Sequence, residues 1–362
     1  MIAALDDIGN PSSIHAEGRA ARALVEEARR AVAALVGVSP RAVAFTSGGT
    51  EAVNTALTPE ISAPGVQGPL MRLVVGAGEH VAALQGARFP ADSIVVAPLD
   101  GEGRIDLARL GALLHTPALV ALQAANNETG VLQPVAEAAA LVHARGGLLV
   151  CDASQFAGRL PLDAAALGAD LIALSAHKFG GPKGVGALIA VRPGLHVALG
   201  LVRGGGQERG ARAGTENVAG VAGFGAAAAA AAQGLTAEAA RIAVLRERLE
   251  DAILTVAPDA VIFSRGAPRL PNTVAFAVPG LSASSLLMRM DLEGVAASSG
   301  SACSSGKVTP SHVLAAMGVP AELARGAIRL SLGWGSDAAD VETFARAFPR
   351  AVAGLRRGGA HL

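Results

Sequence analysis

The chain has 362 residues, more than a single hydrophobic core usually holds, so we expect one large and one smaller domain. Hydrophobic residues make up 51% of the chain, which excludes a disordered protein. Lysine plus arginine equals aspartate plus glutamate at 30 each, and this zero net charge argues against a protein held on nucleic acid or an anionic membrane by bulk charge.

The first two-thirds of the chain alternates between helical and strand-like segments. Residues 12–36 carry apolar side chains at three- and four-residue steps and are followed by Gly37, which predicts a helix with a glycine cap. Predicted strands follow at 42–46, 72–75, 93–97, 118–122, 147–152, 170–175 and 186–191, with predicted helices at 50–57, 81–87, 106–114 and 135–144. These strands are continuous apolar runs, as in sheets buried on both faces, so we predict a mostly parallel, seven-stranded α/β domain.

The pattern changes after Gly234. A long helix at 237–254 precedes strands at 261–264 and 273–278, a helix at 283–292, a Gly/Ser loop, a further helix, a strand at 327–331 and a terminal helix. This order predicts a smaller α/β domain at the C-terminal end.

Two further features bear on location. The apolar run Val218–Ala232 has 15 residues, mostly alanine and glycine, and is too short to span a bilayer, and the first residues show no secretory signal. Cys151 and Cys303 are the only cysteines, which excludes a disulfide framework. We therefore expect a cytoplasmic protein without membrane or nucleic-acid partners, and we predict no metal site.

Lysine is rare in this chain: of 30 basic residues only Lys178, Lys183 and Lys307 are lysines. Arginine stays protonated in proteins, whereas lysine can lose its proton and form a Schiff base. A composition biased towards arginine can still leave a few lysines at arbitrary positions, and this would explain Lys307 without a chemical role. For Lys178 the neighbouring residues favour a chemical role.

Polar residues cluster where the predicted strands end, and ligands of open parallel sheets bind at that edge. Thr46-Ser-Gly-Gly-Thr50 opens a helix and suits a single phosphate, although such turns are usually only caps. Asp152 ends one strand and, taken alone, would more often cap a helix. Ser175-Ala-His-Lys178 ends the next strand. Together these are the parts of a pyridoxal phosphate site: a Schiff-base lysine, a carboxylate for the ring nitrogen and a phosphate turn.

Two other side chains are candidates for chemistry. Cys303 lies in Ser298-Ser-Gly-Ser-Ala-Cys-Ser-Ser-Gly306, where seven of nine residues are serine or glycine, so we expect an exposed, nucleophilic thiol. Cys151 lies inside an apolar strand and should be an inert core residue. His80 would be placed to stack on the cofactor ring, although a lone histidine there is more often a surface or capping residue.

Motifs along nearly the whole chain resemble the NifS/IscS-type cysteine desulfurases of the class V aminotransferase group. They are Gly9-Asn-Pro-Ser-Ser13, Phe45-Thr-Ser-Gly-Gly-Thr-Glu51, Asn126-Asn-Glu-Thr-Gly130, Asp152-Ala-Ser-Gln155, Ser175-Ala-His-Lys-Phe-Gly-Gly-Pro-Lys183, Gly204-Gly-Gly-Gln-Glu-Arg-Gly-Ala-Arg-Ala-Gly-Thr215 and Ser298-Ser-Gly-Ser-Ala-Cys303. The resemblance implies the aspartate aminotransferase-like fold of pyridoxal phosphate enzymes, with a large domain at 14–234 and a small domain formed by 1–13 and 235–362.

The resemblance also assigns roles. Lys178 would bind pyridoxal 5'-phosphate, Asp152 would face its ring nitrogen, His80 would stack on the ring and assist proton transfers, and Asn127 and Gln155 would lie near the phenolic oxygen. The phosphate ligands would be Gly49, Thr50, Ser175 and His177, with Thr215 contributed to the partner subunit of a homodimer. Arg329, together with Asn127, would bind the substrate carboxylate through bidentate arginine geometry. Cys303 would accept the sulfur.

Three departures from the family pattern are visible. Only eight residues precede Gly9, where the family usually has a strand and an Ala-Thr-Thr-Pro turn. We therefore expect cofactor binding to survive but turnover to be poor, because the substrate would be held less firmly. Trp334 stands where these enzymes often have arginine, and the chain ends at Leu362 without the tail that IscS-like members use towards scaffold proteins.

The sequence therefore predicts an enzyme that converts L-cysteine to L-alanine and a Cys303 persulfide, for iron–sulfur clusters or another sulfur-containing cofactor. A sulfur acceptor or scaffold protein would be its partner. A selenocysteine lyase or another enzyme of the same fold is an alternative, and so is a low-activity cofactor-binding homologue that serves as a partner protein. Release of alanine from cysteine would separate these hypotheses.

Overall fold

The structure, a computed structural model, describes residues 1–6, 9–197, 200–299 and 310–358. Contacts divide the chain into two units. Unit 1 takes the described parts of Met1–Ala97, Asp106–Ala124 and Gln133–Leu235, and unit 2 takes those of Pro98–Ile105, Ala125–Leu132 and Thr236–Leu362.

This division differs from the expected one at the N-terminus and at the inner segments Pro98–Ile105 and Ala125–Leu132, which were expected in the large domain and group with unit 2. The resemblance places residues 1–13 in the small domain, whereas their described part groups with unit 1. The reason is local packing: Ala4 is buried, and Met1 lies against Gly223, where an added Cβ would come within 3.1 Å of the Met1 Cβ.

A seven-stranded sheet forms the centre of unit 1. Its strands run in the order β1-β8-β7-β6-β5-β3-β4, and only β8 is antiparallel to its neighbours. Two short strands, β2 and β9, pair separately. The bounds are β1 Val43–Thr46, β2 Ile61–Ser62, β3 Leu73–Gly76, β4 Ile94–Ala97, β5 Leu119–Ala121, β6 Leu148–Asp152, β7 Leu171–Ser175, β8 Gly186–Ala190 and β9 His196–Val197. The seven long predicted strands and the α/β class are confirmed.

Helices pack on the sheet of unit 1. They are α1 Ala16–Val36, α2 Gly49–Ala56, α3 Val81–Gly86, α4 Leu107–Leu113, α5 Val135–His143, α6 Ala164–Leu167 and α7 Val218–Ala232. Helix α1 ends at Gly37, which has φ 73° and satisfies the last carbonyls, as the sequence predicts. Glycine also sets the packing of α7 on α1, because a Cβ at Gly225 would lie 2.4 Å from the Ala28 Cα.

The core of unit 1 surrounds the sheet. Leu73, Leu119, Leu148 and Leu171 are each at most 1% exposed, and the strands that carry them bury every one of their described apolar side chains. Continuous apolar strands are the pattern of a sheet covered on both faces. The edge strand β4 is the exception, since Val96 is 53% exposed.

Unit 2 is built on a smaller antiparallel sheet in the order β10-β11-β13-β12. Its core includes the rings of Phe276, Phe344 and Phe348, of which the last two are stacked with centroids 5.1 Å apart. The remaining elements are α8 Leu235–Val256, β10 Val261–Ile262, β11 Thr273–Ala277, α9 Ala283–Leu292, β12 Ser298–Ser299, α10 His312–Ala316, α11 Ala321–Arg325, β13 Ile328–Ser331 and α12 Ala338–Gly358. The order predicted after Gly234 is confirmed with two differences: the predicted Gly/Ser loop begins with the short strand β12, and the one helix predicted after it is two, α10 and α11.

Hydropathy gives one further observation on the helices. Among the described residues, no single helix is both long enough and apolar enough to cross a bilayer. Helices α7 and α8 meet these two criteria only when they are counted together, and the chain bends by 78° at the break between them.

A buried ion pair fastens the glycine-rich loop of unit 1. Arg29 of α1 donates two hydrogen bonds to Glu208, at 2.6 and 2.9 Å, and one to the carbonyl of Val43. Glu208 also accepts the N–H of Phe45 at 2.9 Å, although its own φ of 49° lies in the left-handed region that non-glycine residues rarely adopt. Both side chains of the pair are at most 4% exposed. The pair therefore holds a strained loop against α1 and β1.

This burial predicts the effect of Glu208→Ala. The substitution removes both hydrogen bonds of the buried Arg29 guanidinium to Glu208 and leaves it, among the described residues, only the carboxylate of Glu26, which is partly exposed, so the free energy of unfolding should fall by about 3 kcal/mol. Urea denaturation followed by circular dichroism measures it. The matched control is Glu238→Ala, which breaks the exposed Glu238–Arg241 pair and should change stability little. Equal losses in both variants would contradict the prediction.

Candidate active site

Strand register brings two predicted site segments together at one edge of the sheet in unit 1. Gly186 at the start of β8 pairs with Thr46 at the end of β1 on one side and with Ser175 at the end of β7 on the other. A Cβ at Gly186 would lie 2.5 Å from the Gly48 carbonyl carbon, so only glycine allows this approach. The turn after β1 and the lysine segment after β7 therefore flank the same glycine.

The turn after β1 offers donors to an anion. Helix α2 begins at Gly49, and a Cβ there would lie 2.9 Å from the Ser154 Oγ and 3.2 Å from the Ser175 Cβ. Thr46 Oγ1 donates to the carbonyl of Gly48, which fixes the turn. Gly49 therefore packs directly on Ser154 and Ser175, which brings their side chains next to the N–H groups that begin α2. Thr50 follows in the first turn of the helix. Such an arrangement suits a phosphate.

Lys178 follows β7 in the 3₁₀ turn Ala176–Phe179 and is half-buried. Beside it the Ser175 Oγ and the His177 Nδ1 are 3.0 Å apart. Burial lowers the pKa of His177, and the positive charges of Lys178, Lys183 and Arg159 lower it further. His177 is therefore neutral at pH 7, with a ring nitrogen that hydrogen-bonds Ser175 rather than adding a cation to the site.

Asp152 ends β6, the parallel neighbour of β7, and its Cα pairs with that of Ala173. Its Oδ1 accepts the N–H of Ser154 at 2.9 Å, so it stabilises a turn rather than capping a helix. Gln155 follows in the same turn and is half-buried. Both side chains lie at the sheet edge that carries Lys178.

Cys151 precedes Asp152 and behaves as the sequence predicts. Its side chain is fully buried, and burial raises the pKa of the thiol, with the charges of Asp152 and Glu79 acting in the same direction. A thiol that stays protonated and inaccessible is a poor nucleophile. Cys303, Lys307 and the other residues of 300–309 lie outside the described residues.

His80 caps a helix, which is the role that a lone histidine at this place more often has. Its Nδ1 accepts the N–H of Ala82 at 3.1 Å, at the start of α3, and the ring is half-buried. This bond fixes the ring nitrogen on the helix side. The stacking and proton-transfer roles of His80 stay predictions.

Glu79 is a buried carboxyl that the sequence analysis did not single out. It is 2% exposed, and its Oε1 accepts the N–H of Gln123 at 2.7 Å, while the Gln123 side chain donates to the carbonyl of Gly78. Burial raises the pKa of Glu79 well above its ordinary value, and the charge of Asp152 adds to this effect. The only sequence signal was its place in Gly78-Glu-His80, next to a predicted site residue.

Thr215 lies in unit 1 and is exposed. The loop before it is held by two contacts: the Gly214 N–H donates to Gln207 Oε1 at 3.1 Å, and Arg212 pairs with Glu51 at 3.2 Å. The side chain of Thr215 is therefore accessible on a fixed loop.

Unit 2 contains the two remaining predicted residues. The Arg329 Nη1, on β13, donates to the backbone carbonyl of Asn127 at 2.7 Å, and both residues are half-buried. Trp334 is 82% exposed, and its carbonyl accepts a hydrogen bond from Arg241. The structure therefore brings Asn127 and Arg329 together and leaves the indole of Trp334 in solvent.

The raised pKa of Glu79 predicts a pH dependence of stability. In the unfolded chain the carboxyl loses its proton near the ordinary value of 4.5, whereas the folded chain retains it to higher pH. The folded state then binds more protons, so the stability contributed by Glu79 is complete below pH 4.5 and is lost as pH rises towards the folded pKa. Glu79→Gln should remove this loss, which urea denaturation between pH 5 and 8 measures. The exposed Glu137→Gln is the control; parallel pH profiles for Glu79→Gln and the unaltered protein would contradict the prediction.

Comparison with known proteins identifies the family. Residues 5–344 match the model of the aminotransferase class-V family. A cysteine desulfurase of Cereibacter sphaeroides is 42% identical over 97% of this chain and 90% of its own, and an IscS-like cysteine desulfurase of Mycobacterium tuberculosis is 40% identical over 99% and 93%. The crystal structure of a NifS-like protein from Rickettsia africae superposes with a TM-score of 0.85 at 34% identity, over 97% of this chain and 94% of that one. The chain therefore belongs to the aminotransferase class-V family and, within it, to the NifS/IscS-type cysteine desulfurases.

Proposed function

We propose that this protein removes sulfur from L-cysteine, releases L-alanine and carries the sulfur as a persulfide on Cys303. The observation that carries the proposal is the convergence, at one sheet edge of a cysteine desulfurase chain, of Lys178, Asp152 and the N–H donors that begin α2. The sulfur would serve iron–sulfur clusters or another sulfur-containing cofactor.

The residues at this edge fit pyridoxal 5'-phosphate. Gly49 packs directly against Ser154 and Ser175, so the N–H groups that begin α2 and the hydroxyls of these two serines are grouped as donors for a phosphate. Gly49, Thr50, Ser175 and His177 would bind the phosphate, Asp152 would face the ring nitrogen, and Asn127, Gln155 and His80 would surround the ring. When bound, this cofactor supplies an electron sink for the bonds of the substrate Cα.

The side chains of the chain would divide the work. Lys178 would hold the cofactor through its amine and, once displaced by substrate, take the Cα proton. Asp152 would keep the ring nitrogen protonated through its negative charge. Arg329 would bind the substrate carboxylate, and its position is already fixed by the carbonyl of Asn127.

Sulfur transfer would occur at Cys303. Its thiolate would attack the substrate sulfur, forming an S–S bond as the C–S bond breaks. The electron pair of the broken bond would remain on the substrate carbon, which takes up a proton and leaves as alanine. His80 is the proposed group for proton transfers at the sulfur and the ring.

The proposal extends to assembly and location. Thr215 is exposed on a fixed loop, which supports its contribution to the phosphate site of a second subunit in a homodimer. A sulfur-acceptor or scaffold protein would receive the persulfide, and the cytoplasm is the proposed location. Measuring the rate of alanine release with cysteine and with selenocysteine as separate substrates tests the proposed activity against the alternative of a selenocysteine lyase.

Lys178→Ala should abolish the visible absorbance of the bound cofactor, because this amine forms the covalent link. Lys183→Ala and Lys307→Ala should keep it. Absorbance spectra of the purified variants after incubation with pyridoxal 5'-phosphate measure the difference. A borohydride-stable adduct formed by Lys178→Ala would show that another amine binds the cofactor.

Cys303→Ser should still show the change in cofactor absorbance on addition of cysteine, because the thiol is not part of the ring site. It should form essentially no persulfide, since a hydroxyl is a far poorer nucleophile than a thiolate at neutral pH. Cys151→Ser is the matched control and should keep turnover. Mass spectrometry locates the added sulfur, and finding it on Cys151 would contradict the assignment.

A further inference from the structure

Two reciprocal hydrogen bonds hold the turn after β3 to the chain that follows β5. The turn begins where the Glu79 N–H donates to the carbonyl of Gly76, the last residue of β3, at 3.0 Å. The Glu79 Oε1 accepts the N–H of Gln123 at 2.7 Å, and the Gln123 side chain donates in return to the carbonyl of Gly78 at 2.6 Å. Both side chains are at most 4% exposed. Glu79 and Gln123 therefore form a buried clamp between the two segments.

The clamped chain after β5 is also bonded to β6, the strand that ends at Asp152. The Leu122 N–H donates to the carbonyl of Val150 at 3.0 Å, and the Ala124 N–H donates to the carbonyl of Asp152 at 2.9 Å. The Gln123 N–H lies between these two donors and is buried, so it needs an acceptor of its own, which the Glu79 carboxyl provides. The turn after β3 and the end of β6 are therefore parts of one hydrogen-bonded block.

The charges in this block confirm that its members are close together. The negative charge of Asp152 adds to the effect of burial in raising the pKa of Glu79, and both carboxyls raise the pKa of the Cys151 thiol. Glu79 is 2% exposed, whereas Asp152 is half-buried. The Glu79 carboxyl therefore lies within electrostatic range of the residue that is proposed to face the ring nitrogen.

His80 follows the clamped turn directly and is held from two sides. Its Nδ1 accepts the N–H of Ala82, which ties the ring to the start of α3. The residue before it is tied to Gln123 through its own side chain. The clamp therefore fixes the backbone from which the His80 side chain extends.

We propose that Glu79 is a positioning residue of the cofactor site, which fixes His80 relative to Asp152 by clamping the turn after β3 to the chain after β5. The inference rests on the proposed function, since it takes His80 and Asp152 as residues that contact the ring of pyridoxal 5'-phosphate. The clamp requires an acceptor at position 79 rather than a negative charge, because the partner of Glu79 is a backbone N–H. Glutamine supplies such an acceptor and alanine does not.

Binding of the cofactor measures the clamp without turnover. In Glu79→Ala the dissociation constant for pyridoxal 5'-phosphate, determined by absorbance titration, should rise about tenfold. The circular dichroism of the bound cofactor should weaken about twofold or more, because this signal depends on a ring held in one orientation. Glu79→Gln should restore both values to within about twofold of the unaltered protein.

The matched control removes a buried carboxyl from the other edge of the same sheet. Asp170 precedes β7, is 3% exposed and accepts the backbone N–H of Leu149 at 2.7 Å, much as Glu79 accepts that of Gln123. Asp170→Ala should lower stability but leave the dissociation constant and the circular dichroism of the cofactor unchanged. A general loss of stability would instead affect both variants alike.

A double variant tests whether Glu79 acts through His80. Once His80→Ala has removed the imidazole ring, the further change Glu79→Ala should alter the dissociation constant by less than about twofold. Gln123→Leu covers the case in which Glu79→Ala does not fold. It removes the donor to the Gly78 carbonyl and keeps the backbone N–H, so the dissociation constant should rise about threefold.

Three results would overturn the inference. They are unchanged cofactor binding in Glu79→Ala, or in Gln123→Leu where the first variant does not fold; equal changes in Asp170→Ala; and a full effect of Glu79→Ala when His80 is already alanine. If the unaltered protein binds no pyridoxal 5'-phosphate, the proposed function and this inference fail together. Binding of the cofactor without release of alanine from cysteine would contradict the proposed function alone.

Discussion

The approach of two chain segments to Gly186 is the constraint on which the site depends. Thr46 and Ser175 pair with this glycine from opposite sides, so β1 and β7 run in the same direction and end at one edge. The turn after β1 and the lysine after β7 reach the same place only because β8 lies between them with no side chain at its first position. Any larger residue there would push away the Gly48 backbone and separate the turn after β1 from Lys178.

Much of the fold could be predicted from the sequence, because strands buried on both faces appear as uninterrupted apolar runs. All seven long strands of unit 1 are visible in this way. The direction of β8 could not be predicted, because an apolar run looks the same in a parallel and in an antiparallel strand. Of the four described two-residue strands, β2, β9 and β12 carry too few side chains to be predicted, and β10 lies within the strand predicted at 261–264. The grouping of Met1 and Ala4 with unit 1 depends on contact with Gly223 of α7, which is distant in the sequence.

The candidate site could be predicted where the type of a residue itself indicates a chemical role. Lys178 stood out because arginine takes nearly every other basic position, and Asp152 because it ends an apolar strand. The carboxylates that organise the molecule were not distinguished: Glu79, Glu128 and Glu208 look like any surface acid in the sequence. Their importance comes from burial and from partners that are mostly far away along the chain, such as Gln123, Ser311 and Arg29. The sequence shows which ionisable groups are present, and only the folded chain shows which of them are buried.

The division of the chain into two units has a consequence for how such a molecule can be altered by recombination. The chain passes between the units at five points, and unit 2 takes the short segments Pro98–Ile105 and Ala125–Leu132 from within the sequence of unit 1. The second of these supplies Asn127 and Glu128, on which Arg329 and Ser311 depend. A C-terminal region transplanted at residue 235 would arrive without that inner segment and would bury the Ser311 hydroxyl without its acceptor. Exchange of unit 2 therefore has to include its two inner segments as well as the C-terminal region.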